Sequence, residues 1–192
     1  IAIDKTVERI NEVIHIEHPV RGDTSRGIAS MWGASMVLPG GRSLAFDGNN
    51  RSKKGITLDL QNEKGKEVLY RLVKSSDAFV TNSRKSVVQR LGMDYPTLCQ
   101  YNPRLVYVNA GGLGHKGPFS DARAFDPLTQ AMSGIMWIMG DRDDPEPLQV
   151  SGAVFDNLGA SITSYAVVLG LLVRERLNIG QEIDISQLRS AI

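Results

Sequence analysis

The chain has 192 residues, with 22 Lys plus Arg against 21 Asp plus Glu, a formal net charge of +1 and 42% hydrophobic content, the composition of an ordinary globular protein. So even a balance offers no broad electrostatic footprint for nucleic acid or an anionic membrane, so neither is expected as a partner and any anion binding must be local. Cys99 stands alone and excludes an intrachain disulfide. A domain of about 150 residues already buries roughly 70% of its unfolded surface, so this length needs no staple.

The longest apolar stretch, 160–173, is interrupted by Ser161, Thr163, Ser164 and Gly170 and falls short of the ~20 residues of a spanning helix. No membrane span is expected. The sequence opens on Ile1 without the charged and apolar regions of a secretory signal, and a cytoplasmic location fits best. Residues 184–192 stop inside what reads as a helix start, so a piece of a longer chain is expected.

In chain order, residues 13–17 (VIHIE) read as a first strand, and 30–51, rich in Gly, Ser and Asn, as a long loop or lid. A second strand is expected over 55–60 (GITLDL). Residues 63–73 place Val68, Leu69, Leu72 and Val73 on one face of an amphipathic helix. Residues 78–81 (AFVT) form a third strand. A short helix over 95–101 is ended by Asn102-Pro103, because proline disfavours helical geometry in the residue before it. Residues 105–109 (LVYVN) are the clearest strand, and 135–139 is a further strand-like run. From 156 to 176, Leu158, Ile162, Tyr165, Val168, Leu169, Leu172 and Val173 recur at helical spacing, and 182–185 (EIDI) returns to a strand. This alternation predicts one α/β domain over 1–192, a Rossmann-like parallel sheet with helices on both faces.

After the strand at 105–109 comes Gly112-Leu113-Gly114-His115-Lys116-Gly117, the letters of a dinucleotide-binding G-x-G-x-x-G, with Asp141 further on. That motif needs a helix opening at its third glycine. Here residues 118–123, with Pro127 further on, read as a loop, which disfavours an oxidoreductase domain. His15 and His18 point to opposite sides of a strand, and with Cys99 the only soft ligand no structural zinc is expected. No G-x-S-x-G nucleophile elbow occurs. The basic groups Arg51, Lys53 and Lys54, and Arg84, Lys85 and Arg90, read either as solvated surface or as cations converging on a polyphosphate. Asp156 opens the long helix, where an acid is either a cap or a catalytic group; on its own the residue favours the cap.

Taken together and in order, these segments resemble the class III CoA-transferase family, which includes formyl-CoA transferase, carnitine CoA-transferases and 2-methylacyl-CoA racemases. The resemblance runs through residues 14–19 (IHIEHP) with Gly22, Asp23 and Arg26, then 50–60, then 77–82 to 90–92. It continues through 102–107 (NPRLVY), Gly112 and Gly114 with Gly117-Pro118, Phe125-Asp126, and 130–134 (QAMSG). It implies the large CoA-binding domain of an interlocked homodimer, with a second, small domain outside these residues. It also implies no permanently bound cofactor, with coenzyme A as substrate alongside an acyl-CoA and a carboxylic acid. Asp156 matches the family's nucleophilic aspartate, which would carry the acyl group as an anhydride and CoA as a thioester. Arg90, Asn82, Leu58, Arg123, Phe125 and Asp126 fall at positions that would hold CoA or substrate. The glycine loop with Gly112 and Gly114 is a candidate oxyanion site. Gln61 and Ser83 depart from the family's usual lysine and phenylalanine. A racemase of the family would need a histidine where Phe125 stands, which leaves that activity as the alternative.

Overall fold

The structure, a computed structural model, describes residues 2–5, 12–141, 143 and 146–192, the first four by their backbone. Six strands form the main sheet: β1 (Ala2–Lys5), β2 (Glu12–Glu17), β5 (Lys54–Thr57), β6 (Ala78–Thr81), β7 (Val106–Gly111) and β8 (Gln181–Ser186). Their order is β5-β2-β1-β6-β7-β8. The β2–β5, β6–β7 and β7–β8 pairs are parallel. β1, however, runs antiparallel to both neighbours, so the sheet is mixed rather than wholly parallel. With β1 reversed, β2, β5, β6, β7 and β8 all point the same way, and their carboxyl ends share one edge.

β7 explains why the sheet is covered on both faces. Its side chains alternate, and Tyr107 joins Phe79, Leu69, Val73, Val88, Leu98 and Leu105 in one buried cluster. Val106 and Val108 join Ala78 in a second, packed against Val167 and Leu171. The first face is covered by α2 (Glu63–Lys74), α3 (Lys85–Leu91) and α4 (Tyr95–Leu98), the second by α7 (Val154–Leu177). α2 starts where Asn62 accepts the Lys64 amide at 3.0 Å and carries Arg71 and Lys74 in its last turn, which suits the negative end of the helix.

Two segments differ from the sequence expectation. Residues 30–51 are not a bare loop: β3 (Ser30–Met31) and β4 (Ala34–Ser35) make a small ribbon, and α1 (Leu44–Asn49) follows, capped by Ser43. The run at 135–139 is not a strand. After α5 (Asp126–Ser133), Gly134 takes a left-handed conformation at φ 81 and opens a new turn, α6 (Ile135–Ile138). A short unbroken apolar run carries no periodicity that separates strand from helix. The chain ends in α8 (Gln187–Ala191).

α7 runs for 24 residues, longer than its apolar centre suggested, and is long and apolar enough by length and composition to cross a membrane. It instead lies on the sheet, burying Phe155, Thr163, Ala166, Gly170 and Arg174. Gly170 permits the approach: a Cβ there would stand 2.5 Å from Val106 Cγ1 and 3.1 Å from Ile183 Cδ1. Val106 is fully buried and its branched side chain has no free space to turn into. A Gly170→Val substitution is therefore expected to lower stability by about 1–3 kcal/mol through overpacking, read as a fall of several degrees in thermal unfolding; an unchanged midpoint would contradict this packing.

Candidate functional site

The candidate residues gather at the carboxyl edge of the sheet, where open α/β sheets bind ligands. α7 begins there because it returns antiparallel to β7 and β8. Its start has no cap of its own: Ala153 precedes it at φ 51 and ψ 51 and makes no side-chain capping bond. Asp126, the first residue of α5, supplies the cap instead. One carboxylate oxygen accepts from the amides of Phe155 at 2.7 Å and Asp156 at 3.1 Å. The other accepts from Gln130 Nε2, whose side chain also bonds both ways to the Val150 backbone, at 2.9 Å each. Asp126 is only 4% exposed, so its carboxylate faces inward to α7 rather than outward to a ligand.

This arrangement leaves the Asp156 carboxylate free of the capping role that its position alone suggested. Asp156 Oδ1 accepts from Gln187 Nε2 at the start of α8, and Gln187 Oε1 accepts from Thr129 Oγ1 at 2.8 Å. The residue as a whole is exposed in this chain. Its carboxyl nonetheless lies against α8 and α5, and loss of water there, followed by repulsion from the Asp126 carboxylate, raises its pKa, while the Gln187 hydrogen bond works the other way.

The loop from Gly111 to Phe125, which leads into α5, walls a pocket of about 220 Å³ that brings together Asn82, Gly112, Gly114, Arg123 and Phe125, with Arg84 as a second cation. No helix opens at Gly117, and none begins before α5, so the G-x-G-x-x-G letters lack the helix that pyrophosphate binding requires. Gly112 serves a close approach: a Cβ there would stand 2.3 Å from Ala124 Cβ. The loop is pinned at three further points. The Gly112 carbonyl accepts the Leu188 amide at 3.0 Å, the His115 amide donates to Asp184 Oδ2 at 3.2 Å, and Asp121 accepts from Ser86 at 2.8 and 3.0 Å. Those Ser86 bonds hold the Asp121 carboxyl below the usual range.

Leu58 and Arg90 line neither this pocket nor the larger one nearby. Leu58 packs partly buried against the first core cluster, and Arg90 is exposed on the last turn of α3. The larger pocket, about 470 Å³, lies between α3, α4 and β8 and is lined by Tyr107, Asn109, His115, Glu182, Asp184 and Arg189 among others.

At the end of β2 stands a constellation that sequence reasoning missed. Glu17 accepts from Arg26 at 2.7 and 2.8 Å and from the Asp23 amide at 3.0 Å, and the Arg26 bond is the chief reason its pKa falls to about 2. Arg26 also stacks 3.6 Å over the Phe46 ring. Its charge is thus paired with the buried Glu17 carboxylate.

Residues 11–192 match the family described as CoA-transferase family III. The chain belongs to that family. It is 36% identical over 174 residues to the acetyl-CoA:oxalate CoA-transferase of Acetobacter aceti, covering 90% of this chain and 43% of that protein. It is 35% identical over 176 residues to a formyl-CoA:oxalate CoA-transferase of Streptomyces avermitilis, covering 91% and 41%. The fold agrees: a CAIB/BAIF family protein from Brucella suis superposes with a TM-score of 0.84 at 33% identity, over 94% of this chain and 47% of that one. The chain therefore spans about two fifths of the length of these curated CoA-transferase relatives.

The raised pKa of Asp156 has a consequence for stability. An acid whose pKa is higher folded than unfolded favours folding below its unfolded value and costs stability as pH rises through its folded value. Asp156→Asn is therefore expected to unfold at a higher temperature than the wild type near pH ~7, with the advantage fading toward pH ~4 where an ordinary aspartate protonates. Thermal denaturation of both proteins across that range checks it; an advantage that grows on acidification would contradict the assignment.

Proposed function

We propose that the protein is a CoA-transferase that moves CoA from an acyl-CoA thioester to a carboxylic acid, with Asp156 as the covalent carrier. The observation that carries the reading is the division of labour between the two acids at the start of α7. Asp126 occupies the helix amides, which leaves the Asp156 carboxylate outside the cap and held, among the described residues, only by Gln187. Membership of CoA-transferase family III supports it.

The reaction follows from what a carboxylate does to a thioester. Asp156 attacks the acyl carbonyl and expels CoA thiolate, leaving a mixed anhydride. The thiolate then attacks the aspartyl carbonyl, releasing the donor acid and leaving an aspartyl-CoA thioester. The acceptor carboxylate takes the donor's place and the steps run in reverse. A hydrated carboxylate is a weak nucleophile, so substrate must displace water from Asp156. The loop pocket at Asn82, Gly112, Gly114 and Arg123 holds part of CoA, Arg84 and Arg123 meeting its phosphates. Leu58 and Arg90, which lie outside that pocket, are proposed to meet the nucleotide end of CoA. Phe125 is 75% exposed and has no proton to exchange, so the ring packs on the substrate; a racemase would need a proton carrier there.

The reading includes a homodimer. α7 leaves Tyr165, Val168, Leu169 and Leu172 exposed, by 65%, 62%, 42% and 46%. An apolar surface of this kind marks an interaction site, and a second copy is proposed to cover it.

Two experiments test these points. Asp156→Ala is expected to lower CoA transfer by more than about 10³-fold, as removal of a covalent nucleophile does, and borohydride treatment of donor-loaded protein should modify the peptide bearing Asp156. Modification elsewhere, or transfer that survives the substitution, would defeat the assignment. Val168→Asp in the intact protein should halve the mass measured by light scattering at micromolar concentration; an unaltered dimer would place the interface elsewhere.

A further inference from the structure

We propose that Gln187 is a catalytic residue: its carboxamide N–H, already on Asp156 Oδ1, stabilises the oxyanion that forms on that atom when the aspartyl carbonyl is attacked. This inference rests on Asp156 being the covalent carrier.

The geometry gives the two carboxylate oxygens of Asp156 different fates. Oδ1 accepts from Gln187 Nε2. Among the described residues Oδ2 accepts no hydrogen bond, so Oδ2 is the oxygen that attacks the donor thioester. Once Oδ2 is acylated, Oδ1 is the carbonyl oxygen of the aspartyl half of the anhydride. CoA thiolate then forms a C–S bond to Cγ, and the carbonyl pair moves onto Oδ1, where the Gln187 N–H meets it. Collapse of that adduct breaks the bond from Cγ to the acylated oxygen, which leaves with its electron pair as the donor carboxylate. When the acceptor carboxylate attacks the thioester, the pair returns to Oδ1 and the thiolate departs. No proton changes hands in either step, which suits an amide donor that stays neutral and keeps its hydrogens. The first and last attacks fall on the substrate's own acyl carbon, whose oxygen Gln187 does not touch. Gln187 therefore serves two of the four attacks.

The donor is also pre-set. The Gln187 amide could turn over and present its oxygen to Asp156. That would set two acceptors, Gln187 Oε1 and Asp156 Oδ1, against each other, so the ionised carboxylate holds the donor in place, and Thr129 Oγ1, on a residue fully buried on α5, completes the pairing by donating to Gln187 Oε1 at 2.8 Å. The backbone is held as well: Ser186 caps α8 through the Arg189 amide at 3.0 Å, and Leu188 donates to the Gly112 carbonyl at 3.0 Å. A donor fixed before the reaction needs no rearrangement as charge develops.

The test uses the intact protein with Gln187→Met, close in length and without a donor, and Gln187→Glu, which keeps an acceptor for Thr129 and regains a donor only when protonated. Loss of one oxyanion donor typically lowers kcat by about 10²–10³-fold. Gln187→Met should show a loss of that order with KM for acyl-CoA nearly unchanged. Rapid-quench mass spectrometry should find the Asp156 peptide carrying acyl anhydride, trapped with hydroxylamine, while the CoA adduct appears more slowly by the same factor. Gln187→Glu should recover activity as pH falls, a response that a purely structural role does not produce. If both variants form the CoA adduct at the wild-type rate while Asp156→Asn is inactive, Gln187 has no such role. If Asp156→Asn itself transfers CoA, the carrier assignment falls and this inference falls with it.

Discussion

The carboxylate of Asp126 is the contact on which the site depends. A helix start has four backbone amides without helical partners, and Ala153, bent into the left-handed region, offers no side chain to take any of them. Asp126 takes two from another helix. Hydrogen bonds to a charged group contribute about 1.5–3 kcal/mol each, and the positive end of a helix further favours a buried anion there. Through Gln130 and the Val150 backbone the same carboxylate ties in the segment that leads into α7. The start of α7, the start of α5 and the approach to Ala153 thus form one connected unit, and the position of Asp156 follows from it.

The sheet determines what that unit faces. Every strand but β1 ends at the edge where α7 begins, so loops distant in sequence meet there. The loop after β7 is the clearest case. Gly112 lets the returning segment at Ala124 come close, and its anchors reach α3, β8 and α8. That last anchor matters most, because the Gly112 carbonyl bonds to the residue next to Gln187. The loop that walls the pocket and the side chain that holds Asp156 therefore share a support, and a shift in one is felt by the other. At the far side of the edge, Glu17 and Arg26 pair with each other.

What the sequence made legible follows from range of interaction. The β7 strand and the helix carrying Asp156 were readable because burial on both faces writes a continuous apolar run, and burial on one face writes a helical period. The ordered motifs from residue 14 to 134 pointed to the family. The loop reading of 118–123 agrees with the structure, whereas Pro127 sits in the first turn of α5, where its missing N–H costs no helical hydrogen bond. Contacts with no local pattern were invisible. Asp126 lies 30 residues from the amide it caps and Gln187 lies 31 from the oxygen it holds. Neither pairing leaves a periodic trace, so Asp126 was placed toward substrate and Gln187 was not singled out. The misread run at 135–139 failed for the opposite reason: its sequence is locally apolar throughout, and the deciding feature was the left-handed turn at Gly134.

An acid at a helix start faces a conflict. The helix amides that hold a carboxylate in its charged form also lower its basicity, and a less basic carboxylate attacks more slowly. In this chain the amides go to Asp126, and Asp156, the proposed carrier, keeps one amide donor from a side chain. The partial loss of water and then its neighbour's charge push its pKa upward, which makes the anion more basic but also reduces the share ionised. The Gln187 hydrogen bond opposes that second effect from one oxygen only. The net direction is upward, so burial and the Asp126 charge outweigh the single hydrogen bond from Gln187.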